Sequence, residues 1–140
     1  MSLRENLVSV ALKWQEKYGV APQVTSALAE YDAAILVGCP EESYSQYMQG
    51  RTAVSRGFDF EHEGQRYQVK SNRPSGRPGS PVTLVGKPKN YDWDCLIWIH
   101  YTTDYEIQEA WLWNVEEYRQ AFEHVTRLSP SHMRQGRRLK

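Results

Sequence analysis

Asp59, Gln68 and Lys70 are the residues whose types and spacing make a chemical set in this chain. Metal-assisted hydrolysis of a phosphodiester needs oxygen ligands for a hard divalent ion and a cation near the nucleophile or scissile phosphate. Asp59 would be the anionic ligand for Mg²⁺ or Mn²⁺. Gln68 offers an amide oxygen, and the main-chain carbonyl of Val69 offers another. Lys70 is a compact positive charge that can orient or activate water and stabilise developing charge. A carboxylate from an upstream helix, Glu30 before Asp32, completes the acid set.

The element that must position them is a hairpin over residues 57–70, GFDFEHEGQRYQVK, folded about Glu63-Gly64. Apolar and polar residues alternate on both sides of a glycine-containing turn. A turn symmetric about Glu63-Gly64 places Asp59 opposite Gln68. Residues two apart share a face, so one face is predicted to carry Asp59, Glu61, Arg66, Gln68 and Lys70. The other carries Phe58, Phe60, Tyr67 and Val69. A slip of one residue would undo this arrangement.

Upstream, residues 2–18 read as an amphipathic helix with Ser2 and Glu5 at capping-box spacing and Gly19 as its stop. Leu3, Leu7, Val10, Ala11, Trp14 and Tyr18 form one apolar stripe, predicted to cover a sheet face. A second helix is expected over about 22–37, with Pro22 in its first turn and Val24, Ala27, Leu28, Tyr31 and Ile35 buried. Glu30 and Asp32 flank that stripe, where each is equally a boundary residue in solvent. Residues 40–49 suggest a short third helix ending at Gly50, and the first hairpin strand is expected to begin within 52–56.

Downstream, residues 71–81 hold three prolines and two glycines, SNRPSGRPGSP, and read as a surface loop. Residues 81–86 suggest a short strand. CLIWIHY over 95–101 is a strand buried on both faces, and IQEAWLWN over 107–114 is the next strand. Asn114 then caps a helix, with Glu117 in its third position and Val115, Tyr118, Phe122 and Val125 as its core stripe. Trp98, Trp111 and Trp113 read as core. The expected organisation is a single domain over 1–125 and a basic tail over 126–140. Its fold class is α+β (α/β/α-like), with a central mixed, mostly antiparallel four-stranded sheet flanked by helices.

The 140 residues carry 17 basic and 17 acidic side chains, but the two signs are segregated. Residues 64–90 contain Arg66, Lys70, Arg73, Arg77, Lys87 and Lys89 and no acid. Residues 126–140 contain Arg127, Arg134, Arg137, Arg138 and Lys140, again with no acid. Such blocks suit a phosphate backbone, which marks Arg73, Arg77, Lys87, Lys89, Arg134, Arg137 and Arg138 as candidate nucleic-acid contacts. Basic loops in plain solvent are equally common. Hydrophobic content of 40% argues against disorder, and the apolar runs are too short for a transmembrane helix. Cys39 and Cys95 match no metal spacing or disulfide framework. With no signal-peptide pattern, the cytoplasm is the expected compartment.

Asp59 followed by Gln68-Val69-Lys70 on the partner strand resembles the PD-(D/E)xK nuclease superfamily. There an Asp ends one strand, an acid-x-Lys lies on the next, and a Glu often comes from the preceding helix. The resemblance covers the hairpin closely and the flanking helices and strands more loosely. It implies a restriction-endonuclease-like fold and a Mg²⁺- or Mn²⁺-dependent DNA endonuclease of restriction, repair or homing type. It assigns catalytic roles to Asp59, Gln68, Lys70 and Glu30, and metal contacts to Asp59, Gln68 and Val69. Two departures stand out: Phe58 precedes Asp59 where proline is usual, and Gln68 replaces the usual acid. Some active members carry glutamine there, but the lost charge weakens divalent-metal binding, for which Glu61 would have to compensate. The expected partner is DNA, with RNA left open, and cutting both strands favours a homodimer or higher oligomer. The alternatives are a nucleic-acid-binding module that has lost cleavage and a protein-interaction domain.

Overall fold

Local signals set the helices. In the computed structural model, which describes residues 1–51 and 57–140, Ser2 accepts the N–H of Glu5 at 3.1 Å and starts α1, Leu3–Tyr18. Gly19, at φ 84°, ends it in the left-handed region that glycine tolerates. α2 spans Thr25–Leu36 and α3 spans Glu41–Gly50. α2 starts later than its apolar period predicts, because Val24 N donates to Pro22 O in a tight turn ahead of the helix. The predicted strand start at 52–56 lies outside the described residues.

Five strands follow: β1 Phe60–His62, β2 Gln65–Asn72, β3 Cys95–Tyr101, β4 Ile107–Asn114 and β5 Arg137–Arg138. They lie side by side in chain order, β2 and β3 parallel and the other neighbours antiparallel. The chain is therefore α+β with a five-stranded mixed sheet, one strand more than expected. The extra strand comes from the stretch read as a basic tail, which also forms the short α5, Pro130–Met133. Leu139 N donates to Ala110 O at 2.8 Å, and Ala110 N donates to Lys140 O at 3.0 Å. Backbone pairing of this kind needs no apolar period, so side-chain patterning could not announce it. Residues 81–86, expected as a strand, make only one bridge, between Val85 and Leu128.

Each sheet face has its own core. On one, Ala29, Ala33 and Ala34 of α2 pack against Phe60, Tyr67, Val69, Ile97, Ile99 and Tyr101. The alanines let the helix lie close to the strands. On the other face, Trp93, Leu96, Trp98, Trp113, Leu128 and Met133 surround Tyr118 and Phe122 of α4, Val115–Phe122. Asn114 caps α4 as predicted, accepting the N–H of Glu117 at 2.9 Å. β3 is buried on both faces through Ile97 and Ile99 on one side and Leu96 and Trp98 on the other.

Two helical stripes are rotated from expectation. α2 buries Leu28, Ala29, Asp32, Ala33 and Ala34, while Ala27 and Ile35 are exposed. α1 buries only Ala11 fully, packing with Val8 and Leu12 against Leu28 and Tyr105. Its longest apolar stripe, Leu3, Leu7, Val10, Trp14 and Tyr18, faces outward and covers no sheet. A polar contact fixes α1 beside that packing: Arg4 donates to both oxygens of Asp32 at 2.7 and 2.8 Å and to Tyr105 O at 2.8 Å. The Tyr101 hydroxyl completes the set by donating to Asp32 at 2.6 Å. A buried carboxylate this well bonded holds the face that shows it an arginine.

Candidate carboxylate site at the hairpin margin

The hairpin pairs as predicted over Phe60↔Tyr67, Glu61↔Arg66 and His62↔Gln65. At Asp59 the ladder changes. Asp59 N donates to Tyr67 O at 2.7 Å, although Tyr67 is already the partner of Phe60. Two residues of one strand thus stand against one of the other, the arrangement of a β-bulge, which re-aims a side chain. Phe58 accordingly packs with the Trp93–Leu96–Trp98 core while Phe60 packs beneath α2, so the two do not share a face as expected.

The Asp59 side chain then takes over the pairing. Its Oδ2 accepts the N–H of Val69 at 2.7 Å. Within a strand, the N–H and C=O of one residue point to the same margin, so the Val69 carbonyl faces the side where this carboxylate lies. Arg51, just beyond α3, donates to Asp59 O at 2.9 Å and Phe58 O at 3.5 Å, and holds the backbone around the bulge.

Glu30 of α2 lies beside Asp59, where a proton on Glu30 can be hydrogen-bonded to the Asp59 carboxylate. Burial first, then that bond and the Asp59 charge, push the Glu30 carboxyl up to about 8, with Arg51 opposing. At neutral pH Glu30 therefore keeps its proton. Beside the two acids, burial first and then the Glu30 charge push the Tyr44 hydroxyl up to about 12. Tyr44 sits in a row of rings, 5.8 Å from Tyr31 and 6.2 Å from Phe60, which stacks on Tyr67 at 4.8 Å. Tyr44 thus carries this aromatic row up to the two acids.

The predicted residues are therefore divided. Glu30, Asp59 and the Val69 main chain come together. Gln68 and Lys70 register against Leu96 and Trp98 and share their face of β2, opposite the face that α2 covers. The Lys70 stem runs beside Gly86. The single polar face expected for Asp59, Gln68 and Lys70 is split by the bulge: the Asp59 carboxylate lies at the strand margin, and Gln68 and Lys70 stay on the opposite face. Glu61 lies across from Arg66, which is itself paired to Asp94 at 3.1 Å. Asp32, the other helix acid, is committed to Arg4 and Tyr101.

The donor set suits a small hard cation. Mg²⁺ commonly takes one or two carboxylates and keeps water elsewhere in its shell. Two carboxyls pressed together until one holds its proton mark a spot where a cation would relieve repulsion. Among the described residues no group of three or more His, Cys, Asp or Glu side chains is gathered. Asp59, Glu30 and the Val69 carbonyl are the oxygens that would hold the ion.

The basic candidates also divide. Arg73 donates to Thr103 O and Gln15 Oε1 and lies over the Tyr105 ring. Lys87 caps the end of α4 through the carbonyls of Phe122, Glu123 and Val125. Arg134 binds both Glu109 oxygens at 2.7 Å. These three hold structure. Arg77, Lys89, Arg137 and Arg138 are exposed, Arg138 over the Trp111 ring at 5.2 Å.

Sequence patterning missed Arg51 and Tyr44 as site residues, and the cluster of Glu109 with Arg134, His100 and Trp111. The one available signal for the cluster was an acid inside an otherwise apolar strand, since Glu109 is 6% exposed and must be paired to be there. No protein-family model matches this chain, and no curated protein is similar to it.

Proposed function

We propose that this chain is a divalent-metal-dependent endonuclease that hydrolyses DNA phosphodiester bonds, built on a restriction-endonuclease-like fold. The observation that carries the reading is the Glu30–Asp59 carboxyl pair, fastened to the β2 margin by the Val69 N–H. Mg²⁺ bound there would supply Lewis acidity and a more acidic water. Asp59, the Val69 carbonyl and Glu30 would hold the ion through one anionic oxygen, one neutral oxygen and a carboxyl that must be deprotonated to bind. Lys70 would have to swing its ammonium round the strand margin from the side of Gly86 to reach the phosphate. Exposed Arg77, Lys89, Arg137 and Arg138 make backbone contacts that are blind to sequence.

A second reading has its own observation. Gln68 and Lys70 root on the face of β2 away from the α2 acids, and Gln68 lacks the usual charge. That arrangement favours a nucleic-acid-binding module on the same fold that no longer cuts. The cytoplasm and a homo-oligomeric state belong to both readings. Among the described residues no helix is long and apolar enough to cross a membrane.

Plasmid nicking in Mg²⁺ or Mn²⁺ tests the choice, comparing wild type with Asp59→Ala, Glu30→Gln and Lys70→Ala. Metal-dependent nicking lost in all three supports the nuclease. Nicking that survives Asp59→Ala and Lys70→Ala removes this site. Salt-sensitive DNA binding without nicking selects the binding module.

A further inference from the structure

Among the described residues, the outward stripe of α1 is an exposed apolar face that the fold itself does not use. Leu3 is 81% exposed, Val10 58%, Trp14 48% and Tyr18 57%. The intervals from Leu3 through Leu7, Val10, Trp14 and Tyr18 are those of a helix seam meeting another helix. Taken with Val20, this stripe presents apolar area on the order of 500 Å², near the upper end for a monomer's largest patch.

The stripe is not uniform along its length. At its start, Leu3 and Leu7 of α1 with Ala27, Leu28 and Tyr31 of α2 line a mostly apolar groove of about 130 Å³, with Arg4 and Glu41 at its edge. At its other end, Trp14 and Tyr18 stand together with ring centroids 4.8 Å apart. One half offers a recess and the other offers projecting rings.

We propose that this face is a two-fold interface between two copies of this chain, with the α1 helices antiparallel. A two-fold contact must be self-complementary. Centring it beside Val10 sets Leu7 against Trp14 and Leu3 against Tyr18, because both pairs are symmetric about that point. Each copy then lays its aromatic pair over the other's groove, and the fit occurs twice. Two such patches bury roughly 1,000 Å² together, the threshold for a specific interface, before the flanking polar residues add to it. Lys13 and Lys17 on the same helix stay at the rim, with the Lys17 ammonium 5.5 Å from the Tyr18 ring centre. The interface stands on this surface alone and does not require the nuclease reading.

Sedimentation equilibrium of the full chain without DNA tests it. Wild type should have twice the monomer mass at micromolar concentration, and Val10→Glu and Trp14→Glu should halve it with unchanged circular dichroism. A wild-type monomer throughout the concentration range overturns the proposal, as does a dimer that survives both substitutions. On mild oxidation Val10→Cys, at the two-fold centre, should cross-link to its copy, whereas Leu3→Cys should not. Cross-linking of Leu3→Cys to itself would overturn the antiparallel arrangement. A monomer that binds vesicles with anionic headgroups through this stripe would make a lipid surface the occupant instead. Nicking activity has no bearing on any of these outcomes.

Discussion

The Asp59 carboxylate accepts the main-chain N–H of Val69 at 2.7 Å, so a side chain occupies the place where a further residue of β1 would pair. The same bond aims the carboxylate at Glu30. Replacing Asp59 with Ala leaves the Val69 N–H without its partner and should cost about 1–3 kcal/mol. Denaturant unfolding measures this directly, and an unchanged midpoint would show that the bond is not maintained in solution.

The Glu30 carboxyl, raised to about 8 from its ordinary 4.5, gives stability a definite pH dependence. The folded state binds the Glu30 proton more tightly than the unfolded chain. Its contribution is therefore fully present below about pH 4.5 and is lost as pH rises through about 8. Melting temperature should fall across that window in wild type and fall less in Glu30→Gln. If the pair holds Mg²⁺, the ion should offset the alkaline fall in wild type but not in Asp59→Ala, because ion and proton would then compete for the Glu30 carboxyl.

Glu109 runs the other way. The Arg134 guanidinium first, with Trp111 and His100 also bonded to it, holds its carboxyl down to about 2 despite burial. That contribution is present above about pH 4.5 and disappears as pH falls toward 2. Glu109→Gln should flatten the acid limb of the stability profile. Glu109→Ala, which strips Trp111 Nε1 and His100 of their partner, should cost about 1–3 kcal/mol at neutral pH.

The Arg4–Asp32 pair should resist truncation badly. The Asp32 side chain is 6% exposed and accepts from both Arg4 nitrogens and from Tyr101. Asp32→Ala should destabilise by about 3 kcal/mol or more, because it leaves a partly buried guanidinium uncompensated. A lower urea midpoint at constant slope would record that loss, whereas a change of slope would mean that α1 detaches altogether.

If DNA is the partner, the exposed arginines differ from the engaged ones. Removing Arg137 or Arg138 should weaken binding evenly across sequences and reduce the salt slope by roughly one per phosphate contact. Lys87→Ala should lower stability instead, since its ammonium serves three carbonyls at the end of α4. Filter binding over a salt series, beside thermal melts, distinguishes the two effects.

Much of this architecture was legible in the residues themselves. Ser2, Gly19 and Asn114 announce helix ends through local hydrogen bonds, and Glu63-Gly64 sets the hairpin register. CLIWIHY can only be a strand covered on both faces. These features depend on neighbours in sequence, so sequence determines them. Tertiary structure alone decided the rest. The bulge at Asp59 breaks strict alternation, which sends its carboxylate to Glu30 and leaves Lys70 on the opposite face. β5 joins the sheet through main-chain bonds that carry no side-chain signature. The outward turn of α1 followed from Arg4 finding Asp32, a contact between helices whose spacing no periodicity encodes. An apolar stripe shows that a helix must bury a face; only the packed molecule shows which face its own core takes and which is left for a partner.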